Sequence, residues 1–226
     1  MYIKFYITII IALLNVFLGL FILRKNYKNP GNIYYCGLCV SGGLWAFVMA
    51  IFLNVTSQQA MDNIIKFTYI FATLPPLFYL LFAYYYPYRL WVFSKFLTSV
   101  IFIIPSIFII LLATGLLNLE NSTYVSGIVM QKVNFLDFFI FAVYFFSYIL
   151  WGLIILLKKL KSDIGIYYVN VKYLIFGTVT VFILTGIVSI IIPLFDSFAY
   201  DWLGPIFTLL NFAVVGYLLF YKLNKN

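Results

Sequence analysis

Seven apolar segments, separated by gaps whose charge alternates, constrain this chain more than any motif in it. The segments run 5–23, 32–53, 67–86, 96–117, 135–157, 173–195 and 203–221. A helix rises about 1.5 Å per residue and needs roughly 20 apolar residues to cross the hydrocarbon core, and each segment is long enough. Eleven of the fourteen Lys and Arg residues fall in alternate gaps: Arg24, Lys25 and Lys28, then Arg89 and Lys95, then Lys158, Lys159, Lys161 and Lys172, then Lys222 and Lys225. The other gaps hold only Lys4, Lys66 and Lys132, and five of the six acids, Asp62, Glu120, Asp137, Asp196 and Asp201, lie on that side. Short loops rich in Lys and Arg stay cytoplasmic. The pattern therefore predicts an all-α polytopic membrane protein of seven transmembrane helices, forming one domain over 1–226. It places the N-terminus outside and the C-terminus in the cytoplasm.

Composition narrows the function classes. Hydrophobic residues make up 65% of the chain and charged residues 9%, which excludes a soluble globular domain and a disordered chain alike. The net charge of +8 is spread thinly over gaps of at most four basic residues, so it suits loops held beside an anionic leaflet rather than nucleic acid. The first segment has only Lys4 before it and no small-x-small cleavage site after it, so it reads as a retained helix. Cys36 and Cys39 stand at helical spacing without a third ligand nearby in sequence, and packing is the expected role of both.

Several chemistries have no residues to perform them. The chain has no histidine and no glycine-rich phosphate loop, so no catalytic residue, cofactor or metal is expected and the chain is not expected to be an enzyme. Asp137 is the one acid inside an apolar segment, two residues from its edge. It reads either as an interfacial carboxylate favoured by a helix N-terminus or as a ligand contact in an outward-facing pocket. Asn15, Ser41, Thr73, Ser147, Thr178, Thr185 and Asn211 are expected to hydrogen-bond between helices or back to their own backbone. Trp45 reads as a packed ring or a pocket wall. Pro75, Pro76, Pro105, Pro193 and Pro205 mark candidate structural or switching kinks. The gap 118–134 is long enough for a small hairpin or lid, and 158–172 for a stretch lying along the interface.

Two familiar seven-helix families fail on particular residues. A retinal protein needs a lysine in the middle of its last helix, and here Lys222 lies beyond the seventh segment. A G-protein-coupled receptor pattern would need an acid-Arg-Tyr triplet and Asn-Pro-x-x-Tyr. The chain has Tyr86-Pro87-Tyr88-Arg89-Leu90 and Asn211-Phe212-Ala213-Val214 instead.

Other landmarks recur in a consistent order. Arg24-Lys25 and Asn29-Pro30-Gly31-Asn32 precede the second segment, and Leu44-Trp45-Ala46-Phe47 lies inside it. Leu74-Pro75-Pro76, Phe82 and Tyr86-Pro87 mark the third. Val171-Lys172-Tyr173-Leu174-Ile175-Phe176-Gly177 and Ile192-Pro193 mark the sixth, while Leu203-Gly204-Pro205, Tyr217 and Tyr221-Lys222-Leu223 mark the last. In this order and topology they resemble the N-terminal seven-helix sensory region of bacterial histidine kinases, over nearly the whole chain. The resemblance implies a two-component sensor in the inner (cytoplasmic) membrane of a bacterium. Its signal would pass through the seventh helix to a cytoplasmic linker and a dimeric kinase core, and hence to a homodimer. The phosphoacceptor and ATP-binding parts of such a kinase are not in these 226 residues, so the expectation is a fragment or a module acting through a cytoplasmic signalling partner. A ligand cavity is expected among Trp45, Thr73, Asp137 and Tyr144. The competing classes are a small carrier or channel and a membrane scaffold without ligand, with the lipid bilayer as partner in every case.

Overall fold

Asn29 and Pro30 show how this sequence starts a helix. The Asn29 side chain accepts a hydrogen bond from Gly31 N at 2.8 Å, and Pro30 takes the first turn, where a missing N–H leaves no helical bond unmade. Ser94 does the same before Lys95, accepting from Leu97 N at 3.2 Å. That helix stops at Gly115, whose φ of 75° suits a residue without a side chain.

The computed structural model describes residues 2–55, 57–125, 128–162, 168–192 and 203–217. The order is α1 (Tyr2–Lys25), α2 (Pro30–Phe52), α3 (Gln58–Ala72), α4 (Leu74–Tyr85), α5 (Lys95–Thr114), β1 (Glu120–Val125), β2 (Ile128–Val133), α6 (Phe135–Ser162), α7 (Tyr168–Gly186) and α8 (Gly204–Tyr217). A π-helical turn, Ile187–Ile191, continues α7. Six stretches are long and apolar enough to cross a membrane, α3 and α4 counting together as Gln58–Tyr85. The seventh expected span, 203–221, is described through Tyr217 as α8. Pro193, Asp196 and the basic residues Lys222 and Lys225 lie outside the described residues.

The helices depart from the apolar segments for identifiable reasons. The third begins at Gln58 rather than 67, because Met61, Ile65, Thr68 and Ala72 recur at helical spacing and are buried although their neighbours are polar. It breaks at Thr73, since Pro75 and Pro76 supply no N–H to the turn before them. In contrast, α5 runs through Pro105 without interruption. Pro105 leaves the Ile101 carbonyl without its helical donor, and Tyr148 Oη of α6 donates to that carbonyl at 3.0 Å. Pro205 sits in the first turn of α8. The gap 118–134 forms the antiparallel hairpin β1–β2, with Glu120 opposite Val133 and Val125 opposite Ile128.

α2 and α4 form the centre of the bundle: α2 packs on α1, α3, α4 and α8, and α4 on α2, α3, α5 and α6. The α1–α2 contact is close because of Gly43, where a Cβ would lie 2.9 Å from Ala12 O and 2.8 Å from Val16 Cγ2. Cys36 and Cys39 are free, buried thiols packed in the same seam against Gly19. Tyr35, near the start of α2, is buried and donates to Phe212 O of α8.

The start of 158–172, expected to lie along the interface, instead extends α6. α6 continues to Ser162, and Lys159 is wholly buried. Its Nζ donates to Ala83 O at 2.7 Å, Tyr84 O at 2.9 Å and Tyr86 O at 2.6 Å. Those carbonyls belong to the last turn of α4, where no helical N–H remains for them and the helix dipole favours a cation. Around this cap Tyr84 Oη donates to Trp91 O at 2.9 Å, and Arg89 lies 4.3 Å from the Tyr85 ring. Lys159→Met should lower stability by about 2 kcal/mol or more, given what hydrogen bonds to charged groups contribute. Thermal unfolding of the purified chain checks it beside the exposed Lys161→Met; equal midpoints for the two variants would show that the cap carries no weight.

Candidate functional site

Helices of mixed length leave a gap where they converge. A cavity of about 150 Å³ runs between α2, α3, α4, α6, α7 and α8. Its walls are mostly apolar and rich in aromatic rings, among them Trp45 from α2, Tyr69 from α3, Tyr79 and Phe82 from α4, Phe138, Phe141, Phe145 and Phe146 from α6, Phe182 from α7 and Phe212 from α8. α2 can approach α8 here because Gly42 has no side chain; a Cβ would lie 3.1 Å from the Phe212 ring. Glu120, at the start of β1, is the one charged residue in the lining and is buried.

The polar lining comes chiefly from α7. Thr178, Thr185 and Ser189 are spaced seven and four residues apart, so they share a helix face. Their hydroxyls are buried and make no hydrogen bond. Tyr79 Oη and Thr178 Oγ1 lie against one another without reaching hydrogen-bond geometry. Other intramembrane hydroxyls behave differently. Ser41 donates to Leu38 O at 3.0 Å, Thr68 to Ile64 O at 2.9 Å, Ser147 to Val143 O at 2.6 Å and Thr208 to Pro205 O at 2.8 Å. That backward bond is the usual way for a helical hydroxyl to be satisfied. Asn15 is also buried without a partner, but it lies outside the cavity.

The four residues expected to form a cavity are distributed over three places. Trp45 lines the cavity. Tyr144 Oη donates to Thr73 O at 2.7 Å, and Thr73 Oγ1 donates to Tyr69 O at 2.8 Å, so this pair stabilises the α3–α4 break beside the cavity. Asp137 lies in the first turn of α6, where its Oδ2 accepts from Asn118 N at 2.9 Å and Asn134 Nδ2 at 3.0 Å. It ties together the two ends of the hairpin, which the Asn134 N to Leu119 O bond also joins at 2.9 Å. The heptad-like spacing of Thr178, Thr185 and Ser189 was the sequence signal for the polar wall. It was hidden because α7 is apolar on every side.

One end of the cavity closes on Gly204, the first residue of α8. A Cβ there would lie 2.7 Å from Ser189 Oγ and 2.9 Å from Trp45 Cη2, so the π turn, α2 and α8 meet at a point that only glycine fits. π turns are frequent at functional positions. At the other end Tyr35 holds the Phe212 carbonyl. Two contacts between α2 and α8 thus adjoin the cavity, one at Gly204 and one at Tyr35.

A family model described as the N-terminal 7TM region of histidine kinase matches residues 7–225. No curated protein and no solved structure matches the chain.

Gly204→Ala should push Trp45 and Ser189 aside at a cost of about 1–3 kcal/mol, the usual range for overpacking. With Trp91, Trp151 and Trp202 replaced by Phe, the shift is read as a change in Trp45 emission and a lower unfolding midpoint. An unchanged spectrum would remove the three-way contact.

Proposed function

The chain belongs to the family of N-terminal 7TM regions of histidine kinase, and on that premise we propose that it is the sensory input module of a two-component system in the inner membrane of a bacterium. Its signal enters the bundle from the outer side or the bilayer and leaves through α8 toward a cytoplasmic kinase core. Phosphoryl transfer belongs to that core or to a separate partner, because this chain has no histidine to phosphorylate.

The observation that supports this reading is the position of α8. Thr208, Phe212 and Val215 of α8 line the cavity, and Gly204 abuts both Ser189 and Trp45. Any change in what fills the cavity alters the surface on which α8 rests. A coupling of 1–3 kcal/mol between two sites corresponds to a change of about 5- to 150-fold in an equilibrium. Packed interfaces switch between discrete arrangements rather than deforming smoothly.

Orientation is tested by labelling. In intact cells a membrane-impermeant thiol reagent should reach a cysteine placed at Asn121, in the hairpin, and should reach one at Lys161 only after permeabilisation; the reverse result inverts the topology. Signalling is tested by joining a histidine kinase core in helical register after Asn226. Gly186 lines the cavity, and a Cβ there meets nothing within 4 Å, so Gly186→Leu adds a side chain to the cavity wall at a position with room for its first carbon. Autophosphorylation of the fusion should change about 5-fold or more with Gly186→Leu. If the output stays constant across Gly186→Leu, Tyr35→Phe and Gly204→Ala, the sensory reading fails.

A further inference from the structure

We propose that the cavity is a binding site for a small uncharged lipophile carrying one carbonyl or hydroxyl group, held by Thr185 and Ser189. The inference deepens the sensory reading, and rests on it only for the consequence of binding.

Size comes first. A cavity of about 150 Å³ is far smaller than a drug-sized pocket, and an apolar cavity of that volume takes a guest of about one benzene ring. A short alkyl chain or a single ring fits this space, and a whole phospholipid does not. The walls set the second property. Trp45, Phe138, Phe145, Phe146 and Phe182 offer apolar faces, which reward an apolar body in proportion to the area withdrawn from water.

Charge is the third property. Among the described residues no Lys or Arg lines the cavity, and an anion there would meet Glu120. Glu120 is already engaged in an interaction within the protein. The groups left for a guest are therefore hydroxyls, which suit an uncharged partner; an ion stripped of water without full pairing is costly at this depth.

The hydroxyls give the last property, a polar group on the guest. The hydroxyl oxygens of Thr185 and Ser189 are buried and forgo the backward bond that Thr68, Ser147 and Thr208 make. One helical turn, about 5.4 Å of rise, separates them, so one carbonyl or hydroxyl oxygen placed between them can bond to both. Between them in sequence stands Gly186, facing open space in the cavity wall. The room and the unmet hydrogen bonds are in the same place.

The test uses the full chain in phosphatidylcholine nanodiscs and three diazirine photoprobes with the same six-carbon chain: a primary alcohol, the parent hydrocarbon and a primary amine. Mass spectrometry locates the labelled residues. The alcohol should label cavity residues of α2, α6 and α7 saturably, and excess 1-hexanol should compete. The double variant Thr185→Val/Ser189→Ala should bind the alcohol about 10-fold more weakly, equivalent to about 1.4 kcal/mol. Gly186→Leu should abolish cavity labelling while the unfolding midpoint is held or raised, because leucine is the better helix former. Hydrocarbon labelling as strong as the alcohol's would overturn the proposal, as would amine labelling that exceeds it or cavity labelling that survives Gly186→Leu. Absence of saturable labelling would leave water as the occupant and end it. If labelling fails while Gly186→Leu still changes the kinase fusion, the ligand class is wrong and the sensor stands. If the alcohol binds and the fusion never responds, the site stands and the sensor reading falls.

Discussion

The Lys159 ammonium, buried against three carbonyls at the end of α4, is the interaction on which the arrangement of the bundle depends. A helix that ends inside a membrane protein leaves carbonyls without donors, and hydrocarbon supplies none. Here a neighbouring helix supplies one side chain that serves three of them. The geometry requires α6 to extend past its apolar stretch and to pack along α4, as it does through Leu80, Leu81, Tyr148 and Ile155. It also fixes where the chain leaves α4, so that Tyr84 can stack on Phe93 and Arg89 can sit on Tyr85. The cation is therefore part of the packing as much as of the charge pattern.

The same economy recurs elsewhere in the bundle. Pro105 orphans Ile101 O and Tyr148 answers it, Tyr144 donates to Thr73 O at the α3–α4 break, and Tyr35, away from any proline, donates to Phe212 O. In each case a tyrosine puts an apolar ring into the core and a single donor at its far end. This explains part of an aromatic content that would be excessive for anchoring alone. It also sets apart the hydroxyls of Thr185 and Ser189, since Ser41, Thr68, Ser147 and Thr208 satisfy theirs within one turn.

Much of the fold was legible in the sequence. Apolar length located six of the spans, because hydrocarbon thickness imposes a length that loops cannot imitate, although the third begins at Gln58 rather than 67 and the fifth runs on to Ser162. The family was legible too, through the order of short motifs such as Leu74-Pro75-Pro76 and Leu203-Gly204-Pro205, and the matched region confirms it. What the sequence concealed depended on contacts between distant segments. Lys159 stands among Lys158 and Lys161 and differs from them only in what α4 places opposite it. Gln58–Lys66 looked like a loop because its apolar residues come one per turn. Of the cavity expected around Trp45, Thr73, Asp137 and Tyr144, only Trp45 was identifiable as a lining residue; the polar wall on α7 needed the third dimension.

Two contacts between α2 and α8 have a mechanical meaning. Trp45 meets Gly204 near one end of α8, and Tyr35 grips the Phe212 carbonyl further along. The ten residues between Tyr35 and Trp45 set these pins about 15 Å apart on α2. Sliding α8 along its axis would release at least one of these pins, and α8 also packs on α1 and α7, so piston motion is a costly displacement for this helix.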